Sequence, residues 1–132
     1  MLDLSSLENA LNSLKRAIDR SLIEPLDEEV RDSVIQRFEY TYELSWKMLK
    51  RQLEIDSQTP ANIDAMGFKE MTREAAERGL MNNPEAWFEY RRQRNITSHT
   101  YDETKAHNVY ETALAFFPDA FNLLQNLKQR NV

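Results

Sequence analysis

The chain has 132 residues, 41% of them hydrophobic and 30% charged, which suits one domain around one core and excludes intrinsic disorder. Two glycines, four prolines and no cysteine allow only a few long elements. They argue against a many-turned β-sandwich or barrel, and they exclude a disulfide framework, a thiolate zinc site and a cysteine nucleophile. A net charge of −5 argues against nucleic-acid binding over the whole surface but leaves room for a local basic site. No apolar run approaches the roughly 20 residues of a membrane span. The first residues show no basic region followed by an apolar stretch, so no membrane partner and a cytoplasmic location are expected.

Leu4, Leu7, Leu11, Leu14, Ile18 and Leu22 recur at steps of three and four, the signature of one helical face. Ser5 and Glu8 have the spacing of a capping box at its start. Pro25 separates this helix from a second, predicted over 27–55, with Val30, Val34, Phe38, Tyr42, Ser45, Leu49 and Leu53 as its stripe. Asp27, Glu28 and Glu29 in its first turn suit the positive end of the helix dipole. Residues 57–65 read as a loop, and 68–78 as a short helix that turns Phe68, Met71, Ala75 and Ala76 inward and closes on Gly79. Asn83-Pro84 reads as a cap followed by proline at the first helical position of a fourth main element, 84–98. Asp102 is expected to cap the last helix, 103–129. Its predicted stripe is Ala106, Val109, Tyr110, Ala113, Phe117, Phe121, Leu124 and Leu127, with Pro118 inside it as an expected kink. No repeat or linker divides the chain. The expected fold is all-α: one domain over 1–132, an antiparallel four-helix up-and-down bundle with one additional short helix.

The pattern fails in the fourth main element. Trp87 and Phe88 open an apolar face, but the positions that should continue it are Arg91, Arg94 and Ser98. Such a face either meets water or lines a site, and sites are where local sequence rules are expected to break. The string Arg94-Asn95-Ile96-Thr97-Ser98-His99-Thr100-Tyr101 carries an Arg-x4-His-x-Tyr spacing, and Arg92 satisfies a looser six-residue spacing to the same histidine. This string resembles the signature of the HEPN superfamily, in the branch of HepT-like toxins and nucleotidyltransferase substrate-binding proteins. The segment from Phe38 to Lys47 and the run Gly67-Phe68-Lys69-Glu70 extend that resemblance over nearly the whole chain.

The resemblance implies a homodimer paired with a separate minimal nucleotidyltransferase, its antitoxin. It implies a metal-independent endoribonuclease, with no cofactor, silenced by AMP transfer to the motif tyrosine. The matching positions are Arg94, Asn95 and His99 as catalytic residues and Tyr101 as AMP acceptor. Arg91, Arg92, Thr97 and Ser98 would help bind RNA. Histidine, with an ordinary pKa of about 6.5, suits proton transfer at a 2′-hydroxyl or leaving oxygen. Arginine's planar fork suits a charged phosphorane. The residues alone also permit plainer roles: His99 as a helix C-terminal cap, the arginines as a solvated face, and Tyr90, Tyr101 and Tyr110 as core or interface rings. His107 stands eight residues from His99 and has no metal-ligand spacing, so no metal site is expected. The competing function is a non-catalytic subunit that presents substrate to a nucleotidyltransferase. This chain holds no Gly-Ser followed by paired aspartates with which to transfer nucleotides itself.

Overall fold

The computed structural model describes residues 1–132. It contains α1 (Ser5–Ile23), α2 (Glu28–Asp56), α3 (Pro60–Asp64), α4 (Phe68–Glu77), α5 (Pro84–Arg94), a 3₁₀ turn (Thr97–His99) and α6 (Glu103–Arg130). Cross-helix bonds fix the directions. Thr41 and Tyr40 on α2 donate to the Ala10 carbonyl (3.3 Å) and the Ser13 hydroxyl (2.8 Å), so α1 and α2 are antiparallel. Arg31–Glu103 (2.8 Å) at one end and Arg130–Asp56 (2.9 Å) at the other make α2 and α6 parallel. Asn126 on α6 bonds to the Leu80 carbonyl just before α5 (2.9 Å), while Tyr90 in α5 reaches the Ala115 carbonyl (3.2 Å), which makes α5 antiparallel to α6. The four long elements therefore alternate in direction. α2 and α6 form the packed diagonal, with α1 and α5 flanking it. No helix is long and apolar enough to cross a membrane.

Local chemistry explains most helix ends. Asp27 accepts from the backbone N–H groups of Glu29 (2.9 Å) and Val30 (3.2 Å), and Asp102 accepts from that of Lys105 (3.1 Å). Asp102 is the expected side-chain N-cap, whereas Asp27, expected within the first turn, caps α2 from one residue outside it. α4 closes in a Schellman motif: the N–H groups of Gly79 and Leu80 reach the carbonyls of Ala76 (3.1 Å) and Ala75 (3.0 Å), with Gly79 at φ +76°. Two expected caps do not form. Leu4 occupies the N-cap of α1, Asp3 takes the Ser5 N–H (3.0 Å), and Glu8 turns away to Lys128 (2.9 Å), so the capping box is absent. Asn83 adopts a left-handed conformation (φ 55°) and its side chain caps nothing. Part of the expected 57–65 loop is helical, because Pro60 starts a turn that buries Ile63. α6 runs on through Pro118.

The core follows the predicted stripes except in two places. Leu22 is 64% exposed, because Ser21, one position earlier, takes the inward place and bonds the Tyr110 hydroxyl (2.8 Å). In α6 the inward face steps from Ala113 to Phe116, Ala120, Leu123 and Leu124, leaving Phe117 half-buried and Phe121 46% exposed. The three-residue step at Phe116, where four was expected, brings that ring to the centre of the bundle. It meets Phe38 (5.0 Å between centroids), Tyr90 (5.3 Å) and Trp87 (5.5 Å) edge-on. Phe116→Ala is expected to destabilise the fold by about 3–5 kcal/mol and Phe121→Ala by about 1 kcal/mol or less. Urea unfolding of both variants tests this, and equal losses would place the core face wrongly.

Candidate active site

α5 carries the motif and is held by few residues. Its buried face is Trp87, Tyr90 and Gln93, not the expected line through Arg91, Arg94 and Ser98. The Tyr90 hydroxyl, in a very short contact with the Asp119 carboxylate, ties this face to α6. Burial and then that carboxylate push the Tyr90 phenol well above its ordinary range, so it stays a neutral donor. With the indole and phenol inward, Arg91 and Arg92 fall on exposed faces, while Arg94, four residues beyond Tyr90, is half-buried.

The helix ends at Arg94 instead of reaching residue 98. The Thr97 hydroxyl donates to the Arg94 carbonyl (2.9 Å), and Ile96 and His99 make i→i−3 bonds to Gln93 (3.0 Å) and Ile96 (2.8 Å). Asn, Thr and Ser side chains compete for backbone partners in this way, and the chain tightens into the 3₁₀ turn. Ser98 and His99 are exposed on that turn, and Tyr101, 83% exposed, follows it. The imidazole makes no hydrogen bond within the chain, so it is not a helix cap. Its ring stands 6.1 Å from that of Tyr101, edge to face.

Arg94 turns toward α2. Its Nε lies 2.6 Å from a Glu43 carboxylate oxygen in an ion pair whose N–H is not aligned as a hydrogen bond, and Nη1 lies 3.5 Å from the Asn95 amide oxygen. Arg92 forks onto Glu89 (2.7 and 2.9 Å) and is mostly exposed. The Arg91 guanidinium lies 4.2 Å over the Phe68 ring. A single chain thus joins Arg94 to Asn95 and His99 to Tyr101 but forms no bond between the guanidinium and the imidazole.

Two adjoining clefts open beside the motif. One, about 540 Å³, lies between α4 and α5 and is walled by Phe68, Phe88, Lys69, Glu70, Arg91, Arg92 and Asn95, with Gly67 at its edge. The other, about 360 Å³, faces α2 and is lined by Tyr42, Glu43, Trp46, Lys50, Arg91 and Arg94 among others. Burial raises the Tyr42 phenol well above its ordinary value, against the pull of the Arg91 guanidinium, so it stays neutral there.

The family model described as nucleotidyltransferase substrate binding protein like matches residues 2–129. The chain belongs to that family. A relative named as a probable ribonuclease HepT from Haemophilus influenzae is 42% identical over 138 residues, covering 98% of this chain and 94% of that one. A solved structure from the same organism, described as having the fold of a substrate binding domain of a nucleotidyltransferase, superposes with a TM-score of 0.87. It is 39% identical and covers 96% of this chain and 99% of its own. The family resemblance drawn from the motif string is therefore borne out.

Within this family member, the residues that sequence reasoning missed are the cleft walls. The sequence stripes put Phe68 and Tyr42 in the core and make Phe88 only the start of an apolar face. Phe68 and Trp46 do pack together (4.7 Å), yet both also border open space. One usable signal was the pair of rings flanked by Lys69, Arg73 and Arg91, since cations around aromatics are rarer than either alone.

The Arg92 fork holds the Glu89 carboxyl below its ordinary range, with burial opposing it. A lowered folded-state pKa gives stability that is complete above the unfolded value of about 4.3 and is lost as pH falls through the folded value. In Arg92→Gln the Glu89 carboxyl is expected to titrate higher, which carboxyl-carbon NMR reads directly. An unchanged titration would remove Arg92 as the cause.

Proposed function

We propose that this protein is a HepT-like, metal-independent endoribonuclease that works as a homodimer and is controlled by a separate minimal nucleotidyltransferase chain. The observation that carries the reading is the open turn after α5. It presents an unbonded imidazole at His99, with Arg94 and Asn95 at the helix end beside it. The relative named as a ribonuclease supports the same reading.

A two-fold axis beside the turn would bring two imidazoles and two guanidinia around one groove. One imidazole takes the proton from the RNA 2′-hydroxyl as that oxygen attacks phosphorus. The other protonates the departing 5′-oxygen, leaving a 2′,3′-cyclic phosphate and a 5′-hydroxyl. Arg94 donates to the phosphorane oxygens as their charge develops, and Asn95 orients the phosphate. Arg91, Arg92, Thr97 and Ser98 extend the RNA-binding surface.

Tyr101 is the AMP acceptor in this scheme. Its phenol oxygen attacks the α-phosphorus of ATP on the nucleotidyltransferase and releases pyrophosphate. The 6.1 Å between the Tyr101 and His99 rings supports silencing by this route, because an attached AMP would set bulk and negative charge against the imidazole.

A second reading is a non-catalytic subunit that binds substrate for a nucleotidyltransferase. The two clefts beside α5 and the solved substrate binding domain favour it.

The purified protein is expected to cleave RNA in EDTA, and His99→Ala or Arg94→Ala to lower the rate by 100-fold or more. Cleavage that survives both substitutions would sink the ribonuclease reading and leave the binding subunit. Intact-mass measurement after incubation with ATP and the neighbouring nucleotidyltransferase is expected to show one added adenylyl group, lost in Tyr101→Phe. Addition to Tyr101→Phe would place the acceptor elsewhere.

A further inference from the structure

The cleft between α4 and α5 combines two features that the cleavage chemistry does not use. Its walls are phenyl rings: Phe68 and Phe88 stand 5.8 Å apart at 62°, and Trp46 backs Phe68 from behind. Lys69, Arg91 and Arg92 line it beside one carboxylate, Glu70, and Arg73 stands close by. Lys69 Nζ and the Arg73 guanidinium lie 5.7 and 5.5 Å from the Phe88 centroid, and Arg91 lies over Phe68.

None of these three cations is paired with a carboxylate, although the chain carries 22 acidic residues. Arg92 and Arg94, by contrast, are each held by a glutamate. Unpaired cations around half-buried rings that border a cleft, in an acidic protein, mark a place where anionic charge and a flat apolar group arrive together. A nucleobase joined to phosphate has both. At about 540 Å³ the cleft lies within the usual range of roughly 300–1,000 Å³ for sites that take small organic groups.

We propose that this cleft seats an unpaired base of a single-stranded RNA against Phe68 and Phe88, with Lys69, Arg73 and Arg91 holding the adjoining phosphates. The inference rests on the ribonuclease reading for its choice of ligand. Arg91 and Asn95 border both clefts, so a strand whose base occupies this one continues toward Arg94. Stacking on aromatic and guanidinium planes tolerates any base and requires it to be unpaired. The protein would therefore prefer loops and single strands to duplexes, with weak sequence preference.

Binding is tested without cleavage, so that the two claims fail separately. In a His99→Ala background, fluorescence anisotropy with a labelled octaribonucleotide is expected to show Phe88→Leu binding about tenfold more weakly, since leucine keeps the apolar volume but removes the ring face. Lys69→Ala is expected to flatten the slope of log affinity against log salt by about 0.7, the loss of one phosphate contact. Circular dichroism confirms that each variant is folded. Equal affinity of Phe88→Leu and its parent would overturn the proposal, as would duplex RNA binding as tightly as the single strand. A nucleoside monophosphate that competes at the concentration of the octamer would assign the cleft to a small nucleotide and overturn the RNA assignment. Any of these results leaves the cleavage reading intact, because the His99 and Arg94 substitutions decide that independently.

Discussion

The edge-on packing of Trp87 and Tyr90 against Phe116 is the contact on which the rest of the molecule's function depends. α5 has only 11 residues and fully buries only Trp87, Tyr90 and Gln93. A helix this short is marginal by itself in water and is stabilised by the face it packs. Two aromatic side chains in a shared cluster supply that packing, and aromatic pairs add about 0.5–1.5 kcal/mol each beyond their buried area. Once this face is fixed, helical geometry leaves Arg91 at its edge and Arg92 well away from it, both exposed, while Arg94, four residues beyond Tyr90, sits half-buried at the end of the packed face.

The second constraint is where the helix stops. Thr97 turns its hydroxyl back onto Arg94, and the chain leaves α5 through a tight turn. That exit swings His99 and Tyr101 away from the helix axis into solvent. Arg94 is drawn the other way by Glu43 on α2. Within a single chain the guanidinium is therefore tied to a glutamate while the imidazole stays unbonded. In the proposed dimer, a second copy across a two-fold axis would supply the missing half of each constellation, so that assembly and activity would become the same event. An AMP group on the exposed tyrosine would block the shared groove from its rim.

Much of this was legible in the residues. Asp102 caps its helix as expected because an aspartate before an acidic first turn is a purely local signal, and most of the leucine and alanine stripes of α1 and α6 needed only a period of 3.6. The failures were positions where two periods compete. Phe116 and Phe117 both fit a helical stripe, and only the rings of Phe38 and Trp87 decide between them. Similarly, Trp87 followed by Tyr90 and Gln93 is a three-step face, whereas the sequence invited the four-step one through Arg91. Ser5 and Glu8 had the right spacing for a capping box but lost to Asp3 and Lys128, partners that spacing alone does not weigh. The motif residues were identifiable as a string, yet the string does not say that Arg94 would pair with Glu43. The aromatic cleft was the least legible part, since Phe68 and Phe88 meet only after α4 folds back onto α5.

The central claim is that the site is completed between two copies, and a mixed dimer tests it most directly. A wild-type chain and a differently tagged chain carrying both Arg94→Ala and His99→Ala are co-expressed, and the heterodimer is purified through both tags. It retains one guanidinium and one imidazole, half of the proposed groove. RNA cleavage by this heterodimer is expected to fall at least tenfold below the wild-type homodimer, because the second imidazole is missing. A heterodimer with half the wild-type activity would mean that each chain carries a complete site and would contradict a groove shared across the axis.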